Sequence, residues 1–83
     1  DKSYEDLHHY LDEGDLAEAF RAAHTLKGVC QNLGIKCLYD SDYVVTEALR
    51  GGKNEVAPEM LQKLDDDYQL VVQSIQEYQK SAE

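Results

Sequence analysis

The stretch His24-Thr25-Leu26-Lys27-Gly28, continued by Val29-Cys30-Gln31-Asn32-Leu33-Gly34, brings together a nucleophile, a cation and a residue without a side chain. A neutral imidazole offers one ring-nitrogen lone pair, and the ordinary titration range of histidine leaves much of it neutral at cellular pH. Lys27, one helical turn on, is placed to stabilise charge on an anionic group, and Gly28 removes bulk from the line of approach. In a helix, residues three, four and seven apart share a face, so His24, Lys27, Gly28 and Gln31 form one stripe. Leu16, Ala19, Phe20, Ala23, Leu26, Cys30 and Leu33 form a second, apolar stripe. His24 therefore sits beside a buried seam and points outward, where another molecule can reach it. Arg21, one turn before His24, is placed either to add positive potential or to pair with Glu18.

The elements that must hold this stretch are all helical. Ser3-Tyr4-Glu5-Asp6 reads as an N-cap with an acid three residues later, and Gly14 as the stop of a first helix over about 4–13. Tyr4, Leu7, His8 and Leu11 give it an apolar stripe. The adjacent His8 and His9 point about 100° apart and cannot share a metal without outside ligands, which leaves them as partly exposed interface residues. Asp15 caps a second helix, over about 15–33, with Glu18 completing the box and Gly34 closing the end. Gly28 costs this helix about 1 kcal/mol relative to Ala. That calls for a reason, either close packing by a neighbouring helix or room for a ligand above the surface.

A third helix, over about 37–50, lacks a capping side chain at Ile35 and Lys36; its core stripe is Leu38, Ser41, Val45, Ala48 and Leu49, with Tyr39 and Val44 alongside. Gly51-Gly52 ends it. Pro58 suits the first turn of a fourth helix, over about 57–79, with Glu59 near the positive end of its dipole. Leu61, Leu64, Tyr68, Val71, Val72, Ile75 and Tyr78 run along that helix at 3.6-residue spacing, and Asp65-Asp66-Asp67 is expected to mark its solvated face. Four amphipathic helices with short loops predict an all-α fold, an antiparallel up-and-down four-helix bundle forming one domain over 1–83.

Composition narrows the function classes. Eighty-three residues, 42 % hydrophobic, allow one modest core. The formal charge of −9, from 17 acids against 8 Lys and Arg, argues against nucleic acid and anionic membrane as partners. Cys30 and Cys37 form no CxxC and have no companion histidine at metal spacing; both fall at apolar helix positions and are expected to be buried, reduced thiols of a cytoplasmic protein. No apolar run approaches a membrane span. The chain opens on Asp1-Lys2 without Met and reads as a piece of a longer protein.

His24-x-Leu26-Lys27-Gly28 followed by Asn32-Leu33-Gly34 resembles the signature of the histidine phosphotransfer (HPt) domain family, H-x-L-K-G and then N-L-G. The resemblance extends through the lead-in, Leu16 to Ala23, and through the following helix, from Leu38 to Thr46-Glu47-Ala48-Leu49-Arg50. It implies a phosphorelay intermediate in two-component signalling that takes a phosphoryl group from the aspartyl phosphate of a receiver domain and hands it to another receiver. Carried over, His24 is the phosphorylated residue, Lys27 the cation beside the phosphoryl oxygens, and Gly28 the gap that admits the partner, with Gln31 and Arg21 as further binding residues. Phosphoryl transfer needs mainly alignment and charge stabilisation. The receiver would supply Mg²⁺ and an acidic pocket, so the chain itself needs no cofactor or metal; a hybrid sensor histidine kinase is the candidate upstream partner.

Two departures from the family pattern stand out. Members often hold the inner imidazole nitrogen with a glutamine on the neighbouring helix, where this chain has Thr46-Glu47. Glu47 would orient the ring and favour its protonated form; Gln31 is the alternative orienting group. Members also commonly carry a further helix ahead of the bundle, and without it an apolar patch is left for a partner or a second copy.

Two other functions compete with the relay. A sensor-kinase dimerisation domain usually follows its histidine with an acid, whereas Thr25 follows here, and no Gly-rich nucleotide-binding segment supports autonomous kinase activity. A non-catalytic helical module that docks a receiver or scaffolds a signalling complex is the second alternative.

Overall fold

The computed structural model describes residues 2–82, with side chains described through Gln76. Its helices are α1 (Ser3–Glu13), α2 (Leu16–Leu33), α3 (Lys36–Leu49) and α4 (Pro58–Ala82), with a single 3₁₀ turn, Arg50–Gly52, after α3. The fold is an all-α four-helix bundle.

The turns explain the topology. At Gly14 (φ +76°) and Gly34 (φ +71°) the backbone enters the left-handed region that favours glycine. The amide after each glycine closes back on the preceding helix, Asp15 N–H to the Tyr10 carbonyl and Ile35 N–H to the Cys30 carbonyl, both at 2.9 Å. Each helix is thus reversed within two residues, which makes its successor an antiparallel neighbour. Asp15 Oδ1 then accepts the Glu18 N–H and starts α2. At α1 the boundary differs from the expected cap: Lys2 precedes the helix, while Ser3 is drawn into its first turn and buried.

α2 packs between α1 and α3, and α4 lies against α3. The side of α2 facing the core is mostly small, Ala19, Ala22 and Ala23 with Leu26 and Cys30, against Leu7, Leu38, Val45 and Leu49. Leu64 carries α4 into the same core and is fully buried. Leu64→Ala is expected to cost about 2–5 kcal/mol, read as a fall in the urea midpoint; a loss below ~1 kcal/mol would mean that α4 is not anchored there.

α1 and α4 meet through longer side chains. Tyr4 stacks on Tyr68 with ring centroids 3.6 Å apart. The Tyr4 hydroxyl donates to Asp65 Oδ1 at 2.6 Å, and His8 Nε2 lies 2.7 Å from the same oxygen. Desolvation, reinforced by the Asp65 hydrogen bond, raises the Tyr4 phenol above its ordinary range.

This corrects the reading of Asp65-Asp66-Asp67 as a solvated face. Three consecutive helical residues span about 200° of arc, so the flanking ones reach the seams. Only Asp66 is exposed. Asp67 is buried, accepts from Ser41 Oγ of α3 and pairs with Lys63 at 2.9 Å. These two bonds, Ser41 first, hold its carboxyl below the usual range.

Other apolar expectations also needed correction. Cys30 is buried, but Cys37 is exposed. Leu33 and Ile75 were expected on buried stripes and Val44 beside one, yet all three are exposed, as is Leu70. α4, with 25 residues, is far longer than α1 with 11 and α3 with 14, so much of its length outruns its partners. Near that end an apolar cleft of about 210 Å³ opens between residues including Tyr4, Leu26, Leu33, Tyr68 and Val72. Tyr78 lies outside the residues whose side chains are described. Among the described residues no helix is long and apolar enough to cross a membrane.

Candidate functional site

The Asp15 cap and the Gly34 reversal fix α2 at both ends, and its Ala-rich inner side seats it on the core. The outer face of α2 is therefore a rigid platform. His24 is exposed on it, between Phe20 one turn back and Gly28 one turn on. The Phe20 ring lies 6.1 Å from the imidazole, inclined at 49°. Among the described residues His24 accepts or donates no side-chain hydrogen bond.

The surrounding cations are each held by a neighbour. Arg21 donates to Glu18 at 3.1 Å across exposed surface, so of its two expected roles the pairing is the one formed. The Lys27 ammonium reaches across to α3 and sits 5.3 Å from the centre of the Tyr43 ring. Arg50, at the end of α3, places its guanidinium 5.4 Å from the centre of the Phe20 ring. Phe20 thus links His24 to a cation from another element. Sequence reasoning had placed Phe20 on the apolar stripe and gave Arg50 no part in the site.

Glu47 does not orient the imidazole. Its carboxylate receives three hydrogen bonds from Arg50, at 2.7 to 3.1 Å. Those bonds hold Glu47 below and Arg50 above their usual ranges. The neighbouring Thr46 is fully buried and turns its hydroxyl back to the Asp42 carbonyl at 2.8 Å. Gln31, also exposed, lines a shallow depression of about 360 Å³ at the α2–α3 reversal, with Gly34, Lys36, Tyr39 and Asp40 among its walls. The stripe therefore holds His24, Lys27, Gly28 and Gln31 along one side of α2, with Tyr43 of α3 beside Lys27.

Gly28 decides between the two reasons proposed for it. A Cβ built there meets nothing within 4 Å. No neighbouring helix presses on it, and the space above it is open.

α3 also buries a group that sequence reasoning missed. Asp42 is fully buried, and its Oδ1 has no hydrogen-bond partner; Thr46 Oγ1 reaches only Oδ2, at 3.5 Å. Burial pushes its carboxyl up to about 7, while Thr46 and the Lys27 charge pull the other way. The available signal was its place beside Ser41, which had been assigned to the core stripe.

The consequence for stability has a definite sign. The folded carboxyl titrates above its unfolded counterpart, so the folded state binds the extra proton, and stability falls as pH rises from about 4 through about 7. Between pH 5 and pH 8 this group should remove on the order of 2 kcal/mol. Urea unfolding of Asp42→Asn is expected to lack that part of the decline; parallel pH slopes in both proteins would contradict it.

An exposed imidazole on α2, with a lysine one turn on and open surface above a glycine, leaves a ring nitrogen within reach of an approaching molecule. Among the described residues no three His, Cys, Asp or Glu side chains are grouped to hold a metal ion. The sequence model of one family, described as Hpt domain, matches residues 1–74. The chain belongs to the Hpt domain family, the phosphotransfer histidine carriers of two-component signalling, whose members interact with receiver domains. No curated protein and no solved structure matches the chain.

Proposed function

We propose that His24 is the phosphorylated residue of this domain, and that it takes its phosphoryl group from the aspartyl phosphate of one receiver and passes it to another. In the first step an imidazole nitrogen lone pair forms an N–P bond, and the acyl-phosphate O–P bond breaks, leaving the receiver's aspartate as carboxylate. The second step reverses this chemistry on a different receiver. Transfer through a loose transition state asks for alignment and for charge near the equatorial oxygens. Lys27 supplies the charge from this chain, and the receiver brings Mg²⁺ and its acidic pocket. A hybrid sensor histidine kinase fits as the source upstream.

The observation that carries this reading is the pairing of an exposed, unencumbered His24 with unoccupied space over Gly28 on the same face. A receiver's phosphorylated edge can approach there without displacing a side chain. Arg21 and Gln31 lie at the rim, where polar contacts select a partner more than they hold it.

The test is incubation with a panel of phosphorylated receivers and Mg²⁺, scored both for binding and for acid-labile phosphate on this chain. Label arriving from at least one receiver and leaving to another is the expected result, and the rates identify partner and direction. Receivers that bind without ever transferring label would replace the relay with a docking module.

A further inference from the structure

Although its formal charge is −9, the chain holds no charged residue from Gly28 to Ile35, at the end of α2, nor from Tyr68 to Gln76 on α4. These two stretches meet at the apolar cleft of about 210 Å³, where Leu33 and Ile75 line the walls and are 66 % and 47 % exposed. We infer that this end of the bundle is a self-association surface. A second copy of the chain covers it about a twofold axis, the Ile75 ridge of each copy seating in the cleft of the other.

The shape is self-complementary. Ile75 stands between two hollows, the 210 Å³ cleft on the α2 side and a second of about 330 Å³ on the α3 side, which Ile35 and Leu70 help to line. Helix surfaces interdigitate by setting such ridges into grooves. On a twofold axis each ridge meets the partner's groove, so the contact closes at two copies. Leu70, Val71, Val72 and Ile75 together cover about 200° of the α4 circumference, wider than the single seam a helix usually buries.

Charge selects the occupant. With neither cation nor carboxylate in these stretches, a phosphate, an acidic peptide or a lipid headgroup finds no charged partner there. The charges next in sequence are already engaged: Lys36 pairs with Asp40, and Asp67 with Lys63 and Ser41. Two copies at −9 each repel at most approaches. Here they meet uncharged side to uncharged side, with Gln69, Gln73 and Gln76 exposed at the rim to hydrogen-bond. Val29 and Leu33 lie about 140–180° round α2 from His24, so a paired copy leaves both histidines open. Pairing of this kind is independent of whether His24 carries phosphate.

Sedimentation equilibrium of the full chain up to millimolar concentration reads the pairing. One helix overhang and one helix end from each copy make a small interface, so the mass is expected to rise from one copy to two with a Kd on the order of 100 µM, and to stop there. In an equal mixture of ¹³C-labelled and unlabelled chains, isotope-filtered NOEs are expected between the Ile75 methyls of one copy and Leu33 or Val72 of the other. Ile75→Lys reduces the net negative charge and so weakens general repulsion, yet it should raise Kd by about tenfold or more with helix content unchanged. Asn54→Lys, the same change of charge in the exposed loop before α4, should leave Kd alone. Single copies at every concentration overturn the inference, as does growth past two. A dimer indifferent to Ile75→Lys, or with NOEs only elsewhere, overturns it too. A chain that stays single while Ile75→Lys weakens its binding to a receiver gives the surface to that partner instead. His24 should accept phosphate equally in the native chain and in Ile75→Lys, so loss of pairing and failure of the relay are read separately.

Discussion

His24→Gln is expected to abolish acid-labile phosphate on this chain altogether, while the domain still unfolds at the same temperature and binds its receiver within about twofold. The side chain is exposed and bonds to no described neighbour, so its replacement disturbs neither core nor cap. Glutamine is a comparable or better helix former, and surface changes of this kind usually stay within about 0.5 kcal/mol. What is lost is the ring-nitrogen lone pair. An amide nitrogen, with its electrons delocalised into the carbonyl, offers no comparable nucleophile. Labelling with a phosphorylated receiver followed by gel autoradiography reads the result; persistent label would place the acceptor on His8, His9 or another group.

Gly28 separates stability from function in opposite directions. Gly28→Ala should stabilise the bundle by about 0.5–1 kcal/mol, because it adds helix propensity and its Cβ enters open space. Gly28→Glu should also fold. It nonetheless puts a flexible acid where the partner's phosphate and acidic pocket must come, adding both bulk and like-charge repulsion. Misplacing reacting groups by about an ångström is enough to cost roughly 100-fold, so transfer into Gly28→Glu should fall by at least that factor. Thermal melts and single-turnover transfer rates on the two variants check both halves. Unchanged transfer into Gly28→Glu would mean that the receiver docks elsewhere, and a destabilised Gly28→Ala would mean that the helix needs glycine for packing.

Most of the fold was legible because it is written in local chemistry. Gly14 and Gly34 stop helices and reverse the chain, Asp15 caps α2 and Pro58 begins α4, and each of these acts within a few residues of itself. The α2 face of the site was legible for the same reason, since His24, Lys27, Gly28 and Gln31 are related by helical spacing alone.

What α3 contributes was not legible, because it depends on how one helix is rotated against another. The family resemblance set Glu47 near the imidazole, but three hydrogen bonds from Arg50, three residues on, hold its carboxylate instead. The contact of Lys27 with Tyr43 and the burial of Asp42 emerge only when α3 is docked into the bundle. The acidic triplet on α4 misled for a related reason. Charge suggests solvent, yet Asp65 and Asp67 turn inward where Tyr4, His8 and Ser41 offer them partners. Leu33 and Ile75 erred the other way: their spacing is that of a core stripe, and the lengths of the neighbouring helices leave them uncovered.

Carriage of a phosphoryl group between receivers by His24 is tested most directly by a pulse–chase experiment. The domain is labelled from a phosphorylated receiver, the label is mapped by peptide, and a second, unphosphorylated receiver is then added. Acid-labile, base-stable phosphate is expected on the peptide containing His24, departing to the second receiver on the timescale of transfer. Label on any other residue, or label on His24 that no receiver can remove, would contradict it.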